Sequence, residues 1–320
     1  MKKKIRYFAL IFFILLFLIS GFMLLRDLTT AKKEKDANRQ LAEQVKAIRT
    51  ARQSSKAPTA APDKEPEEIP DSTLPEATSA QGTKSTIGQG QKATSMELDA
   101  AITPEPIFPK YADSGLLYQY DALWQMNNDL AGWLFIEDIE ADYPVMYTPN
   151  NLEYYLHKGF DKSYAKSGCL FIGTGWSPDG NYTIIYGHHM KNGTMFGKLD
   201  RYISEKYAQE HPVIYFDTLT EEGEYEVVAA FYSRVYNQYE EGVFRYYQYT
   251  DLSSQEVFEE YLSEVRKAAI YDTGVDVQYG DKILALSTCS YHTDNGRFVV
   301  VARRRVEAEE DENAEGNEEN

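Results

Sequence analysis

A chain of 320 residues with 33 Lys and Arg against 50 Asp and Glu carries a formal charge of −17. That balance excludes a protein built to coat nucleic acid, because such binding depends on basic side chains neutralising phosphates. Its two Cys exclude a disulfide-dense scaffold and form no CxxC pair of the zinc-binding kind. Length permits two domains, but the composition shifts along the chain and reduces the part that can fold as a core.

Residues 7–25 form 19 consecutive positions without a charge, preceded by Lys2, Lys3, Lys4 and Arg6. A helix of about 20 apolar residues crosses a bilayer core. The basic flank keeps residues 1–6 in the cytoplasm and sends everything after Arg26 outside. A cleaved signal peptide is the competing reading. The apolar run exceeds the usual ~7–15 residues and no small-x-small cleavage site follows it, so an uncleaved single-pass anchor is expected. Residues 26–53 are charged, weakly periodic helix formers and read as a helical stalk. Residues 54–109 are rich in Pro, Ala, Thr, Ser, Glu and Gly, have too few large apolar side chains to offset the entropy of ordering, and read as a disordered tether. At the other end, residues 306–320 hold eight acids and no base and read as a self-repelling tail.

The remaining segment, 110–305, is long enough for one sizeable core. It opens with an amphipathic pattern over 115–130, in which Leu116, Leu117, Tyr120, Leu123, Trp124 and Leu130 recur at helical spacing. Short β-rich runs separated by turn residues follow at 133–139, 144–147, 169–172, 183–186, 213–216, 225–233, 282–288 and 298–303. Eight short strands predict a closed barrel or a sandwich, so the domain is mainly β. One strong helix interrupts them at 254–269. Ser253 and Glu256 have capping-box spacing, Leu252 and Val257 are placed to staple the entry, and Val257, Phe258, Tyr261, Leu262 and Val265 share a face.

Chemistry is best sought among the scarce reactive side chains. Cys289 ends the run KILALSTC where a strand opens into a polar loop, a place where catalytic residues collect. His188 follows the apolar strand YTIIYG, whose final Gly is read as permitting a sharp turn. Arg297 begins the run RFVVVARR. A thiol, an imidazole and a guanidinium at three strand ends suit acyl transfer: thiolate attack, proton transfer by the ring, and stabilisation of the oxyanion. Each also has a plain structural reading, as a buried small hydrophobe, a satisfied ring or a solvated edge charge. Sequence order alone does not bring them together in space.

At these residues the chain resembles the sortases, cysteine transpeptidases of Gram-positive cell surfaces. LSTCSY at 286–291 matches the family's TLxTC-type signature, with Arg297 at the start of the next strand and IYGHHMKNGTMFGKL upstream at 185–199. LAGWLFI at 130–136, YPVMYTPNNLEYYLHKGF at 143–160 and SGCLFIG at 167–173 extend the likeness over essentially the whole domain, in the family's order of His, Cys and Arg. The leading helix, the YYLHKGF segment and the long helix before the catalytic strand are similar to class B.

The resemblance implies an eight-stranded sortase-type β-barrel, with the helix at 254–269 walling the substrate groove. Cys289 is then the nucleophile, His188 the general acid/base and Arg297 the stabiliser of oxyanion and substrate, while Ser287 and Thr288 contact the substrate motif. It further implies cleavage of a C-terminal sorting motif of exported proteins after Thr, through a thioester on Cys289, and transfer to an amine of peptidoglycan or its precursor. The catalytic domain faces outside the cell, and neither metal nor organic cofactor is implied.

His189 adjoins His188, but the residue directly after the Gly aligns with the family's base. His292 is read as a solvated loop residue, and Cys169 as a buried structural thiol that would disable the nucleophile if it formed a disulfide with Cys289. The rival from another functional class is a membrane-anchored binding module on a degenerate sortase fold, which loss of the Cys, His or Arg would have indicated. A papain-type thiol peptidase would need its Cys early, at the start of a helix.

Overall fold

The computed structural model describes residues 2–56 and 108–305. The expected tether lies almost wholly, and the expected acidic tail entirely, outside the described residues. Span and stalk form one helix, α1 (Lys2–Lys56). Its apolar half is long and apolar enough to cross a membrane and is exposed.

The other half does not stand free as a stalk would. Val45 is buried among Leu117, Tyr120 and Trp133, with Leu41 and Ala42 packed alongside. Arg49 donates to Asp217 at 2.6 Å and also to the Tyr120 hydroxyl. Arg52 donates to Gln119 at 2.7 Å and Glu222 at 3.1 Å. Nearer the apolar half, the Glu34 carboxylate accepts from the backbone N–H of Lys166 at 2.8 Å and Ser167 at 3.1 Å. The weak periodicity of this segment therefore reflects a helix held to the domain by a few buried residues and several polar clamps.

Helix α2 (Tyr118–Met126) is shorter than the pattern over 115–130 predicts. Gly115 has φ of 83°, which is not helical, and the Asn127 N–H closes the last turn on Leu123. Leu130 belongs instead to the first strand. Eight strands then form a closed barrel: β1 (Leu130–Ile136), β2 (Ala141–Met146), β3 (Leu170–Ile172), β4 (Tyr182–Gly187), β5 (Val213–Thr218), β6 (Glu224–Arg234), β7 (Ile283–Cys289) and β8 (Gly296–Arg304). Around the barrel the order is β1-β2-β3-β4-β7-β8-β6-β5, and β1 pairs with β5 to close it. A short helix, α3 (Glu205–Glu210), precedes β5, and α4 (Gln255–Ala268) precedes the connection to β7.

Side chains alternate across each strand. Leu284 and Leu286 of β7, Ile185 of β4, and Phe298, Val300 and Ala302 of β8 fill the barrel. Ile283, Ala285, Ile184, Val299 and Val301 point outward into a second core, beneath Phe258, Tyr261, Leu262 and Val265 of α4. The apolar stripe of α4 is thus used as expected, but the capping box does not form. Ser254 is the N-cap and makes no side-chain cap bond, while the Ser253 hydroxyl donates to Asp251 at 2.7 Å. Asp251 draws Ser253 into a local turn and so competes with the helix end for its hydroxyl.

Candidate active site

Strand register carries the expected residues to one end of the sheet. β4 and β7 run parallel, with Gly187 opposite Thr288, so His188 and Cys289 leave neighbouring strands at the same level, about 4.8 Å apart in strand spacing. β7 and β8 run antiparallel, with Cys289 opposite Arg297. Directly opposed residues share a face. Because Leu286 faces the barrel interior, Cys289 and Arg297 fall on the outward face, continuous with the second core under α4.

Around them stand aromatic residues that the sequence did not single out. Tyr186 packs against that core, and the hydroxyl of Tyr246, from the 3-10 turn Tyr246–Gln248, is 2.8 Å from Ser287 Oγ. Burial pushes the Tyr246 phenol up to about 12, against the opposing effects of the Ser287 bond and the Arg297 charge. Burial likewise raises Tyr186, with Arg297 again opposing. Both phenols therefore stay protonated and neutral beside the guanidinium.

His188 is held from one side by two consecutive residues of the 3-10 turn Tyr154–His157. Its Nε2 lies 2.9 Å from the Leu156 carbonyl, and the His157 ring stacks on it with centroids 5.3 Å apart and planes 21° from parallel. A carbonyl only accepts, so Nε2 carries the proton and Nδ1 of the neutral ring is the basic nitrogen. Burial lowers the imidazole's affinity for a second proton; His157 acts in the same direction and the Leu156 bond against it. The ring is thus predominantly a neutral base at pH 7.

Gly187 has a role other than the expected sharp turn. Its φ is not left-handed, and it ends a regular strand. A Cβ there would come within 2.5 Å of Leu170 Cδ2 and 2.7 Å of Phe196 Cδ2, so glycine is needed for close packing under His188.

Arg297 is anchored by its own turn. Its Nη1 donates to the carbonyls of Gly296 at 3.0 Å and Asn295 at 3.3 Å. A guanidinium has five N–H donors, so these bonds leave donors for a ligand. Ser287 and Thr288 do not line an open surface, being 1% and 2% exposed. Thr288 Oγ1 donates to the Gly187 carbonyl at 2.8 Å, pinning β7 to β4, and Ser287 meets Tyr246.

The other expected residues separate from this group. The His189 ring meets the edge of Tyr291 and its Nε2 lies 3.6 Å from Asp200. His292 is exposed, 2.9 Å from Ser290 Oγ and packed on Tyr232. Cys169 and Cys289 are both free thiols. Burial pushes Cys169 up to about 12, which keeps it an inert thiol at neutral pH. Among the described residues, no group of three or more His, Cys, Asp or Glu is placed to hold a metal ion.

A family profile described as the sortase domain matches residues 134–305. The chain belongs to the sortase family. Sortase B of Listeria monocytogenes is 35% identical over 183 residues, covering 56% of this sortase and 70% of that protein. Among solved structures, a Bacillus anthracis protein described as similar to sortase B superposes with a TM-score of 0.54 at 30% identity, covering 63% of this chain and 90% of that one. A Staphylococcus aureus sortase B solved as a substrate complex has a TM-score of 0.51 at 25% identity, covering 59% and 86%. This sortase is therefore a cysteine transpeptidase of class B type, and its eight-stranded barrel agrees with the expectation from sequence.

Proposed function

We propose that this sortase cleaves a C-terminal sorting motif of exported proteins after Thr and transfers the acyl group to an amine of peptidoglycan or its precursor. The observation that carries the reading is the register that sets Cys289 opposite Arg297 and one strand from the His188 position. In this mechanism His188 Nδ1 takes the Cys289 proton, and the thiolate attacks the carbonyl of the motif's Thr. Arg297 steadies the oxyanion. The tetrahedral adduct collapses to a thioester as the C–N bond breaks, and the imidazolium gives its proton to the leaving amine. The incoming amine attacks the thioester and loses a proton to His188, and the Cys289 thiolate departs. Water is the poorer acceptor.

Ser287 and Thr288 act in this scheme from behind the surface: Thr288 holds the two catalytic strands in register, and Ser287 orients Tyr246 toward the substrate. The S. aureus sortase B solved as a substrate complex supports substrate binding by this fold. The apolar half of α1 serves as a single-pass membrane anchor with the catalytic domain outside the cell. A sorting-peptide library read by mass spectrometry, with and without added amine, tests the assignment. Cleavage after Thr and amine-dependent transfer are expected, and the absence of both across the library would refute it.

A further inference from the structure

The continuity of α1 fixes the height of the catalytic domain above the bilayer. The charge-free run ends at Leu25, and a helix rises about 1.5 Å per residue. Asp27 then lies about 3 Å beyond the apolar run, Glu34 about 14 Å and Arg52 about 40 Å. Lys166 Nζ is 4.0 Å from Asp27, and the backbone N–H groups of Lys166 and Ser167 are held by Glu34. The opposite end of the barrel meets Arg49 through Asp217 and Arg52 through Glu222, with Tyr120 of α2 also bonded to Arg49. The barrel thus lies lengthwise along α1, with the loop 158–167 as its lowest part.

We propose that this loop rests in the polar headgroup layer, so that the active site opens at the membrane surface. The inference depends on reading α1 as the anchor. A headgroup layer is about 5–7 Å thick on each side of the hydrocarbon core, which matches the level of Asp27 and of the Lys166 ammonium beside it; the loop backbone bonded to Glu34 stands above, so the loop enters the layer by its long side chains. The chemistry of the loop fits that layer. Tyr164 is 72% exposed, and an aromatic ring with a polar tip suits the interface. Lys158, Lys162 and Lys166 against Asp161 leave the loop a net +2 on an acidic chain, with Lys166 beside Asp27, a charge suited to anionic headgroups such as phosphatidylglycerol. Lys162 also pairs with Asp129 at 2.9 Å, and Lys33 of α1 faces Asp161.

The same loop leads directly to the active site. The Ala165 N–H donates to the His157 carbonyl at 3.1 Å. Tyr164 and His157 rings are 6.4 Å apart, and His157 stacks on His188. Two rings therefore separate the interface from the proposed base, and substrates are taken as they emerge from the bilayer or while their amine is tethered to it.

The test uses the full chain carrying Cys289→Ala in nanodiscs containing phosphatidylglycerol. A single environment-sensitive fluorophore is placed at Tyr164→Cys, Lys110→Cys or Phe17→Cys, with the parent protein as the blank for Cys169. Lys110 lies 3.9 Å from Glu222, level with Arg52, and serves as the distal reference. Headgroup nitroxide lipid should quench the label at 164 severalfold more than that at 110, and acyl-chain nitroxide should quench the label at 17. If 17 is quenched while 164 matches 110, whether both are bright or both dark, the inference is overturned and the anchor stands. If 17 is not quenched, both the anchor reading and the inference fall.

Discussion

Replacing Arg49 with Met should release the outer half of α1 from the barrel while leaving the barrel folded. At 2.6 Å the Arg49–Asp217 attraction is about 6 kcal/mol at an effective dielectric constant of ~20, before desolvation is subtracted. Removing one member of a buried pair typically costs about 3–5 kcal/mol, because the other charge is left without its partner. Asp217 would keep its bonds from Tyr120 at 2.6 Å and Gly223 at 3.1 Å, and the Arg49 side chain is 25% exposed. These reduce the expected loss to about 2–3 kcal/mol, a factor of about 30–150 in the ratio of docked to undocked helix. Hydrogen exchange of the full chain in detergent should therefore speed up around Val45 by that factor, with the β7 and β8 amides unchanged. Adding Asp217→Asn should recover part of the loss, since no buried carboxylate then lacks its cation. Unchanged exchange at 41–49 in Arg49→Met would refute the docking energetics.

His157→Gln should raise the His188 pKa, since the neighbouring ring lowers it, and so move the acid limb of kcat/KM to higher pH. A purely structural role would lower activity without moving that limb. The same shift has a stability sign. His188 binds a proton less readily folded than unfolded, so its contribution to stability falls as pH drops below about 6.5, which thermal denaturation across that range can follow. Gly187→Ala places a methyl against Leu170 and Phe196 and should cost about 1–3 kcal/mol, lowering Tm by several degrees and kcat/KM with it. Thr288→Val removes the bond to the Gly187 carbonyl and should cost about 1–2 kcal/mol in denaturant unfolding, with a loss in kcat greater than any change in KM.

The barrel was legible in the sequence because alternation and turn residues are local signals. All eight runs became strands with ends shifted by a few residues, and the stripe of α4 packs as its periodicity required. Docking of α1 was not legible, since Arg49 and Asp217 are 168 residues apart and neither stands out from a charged surface residue. The capping box failed for a local reason: Asp251, two residues before Ser253, takes the hydroxyl. Cys289, His188 and Arg297 stand out in the sequence because they are scarce, reactive and placed at strand ends, and strand register carries them to one end of the sheet. Their support was hidden. Leu156 acts through a backbone carbonyl, which no side-chain pattern reveals, and His157 acquires its neighbour only when the 3-10 turn folds beside β4. Tyr246 was one of 25 tyrosines until strand register set Ser287 against it.

The most direct test is the intact mass of the domain after brief exposure to a sorting peptide followed by an acid quench. The proposed mechanism predicts an acyl adduct mapped to Cys289, lost on adding hydroxylamine, absent in Cys289→Ala and strongly reduced in His188→Ala and Arg297→Ala. Cleavage that persists in Cys289→Ala, or an adduct on Cys169, would contradict it.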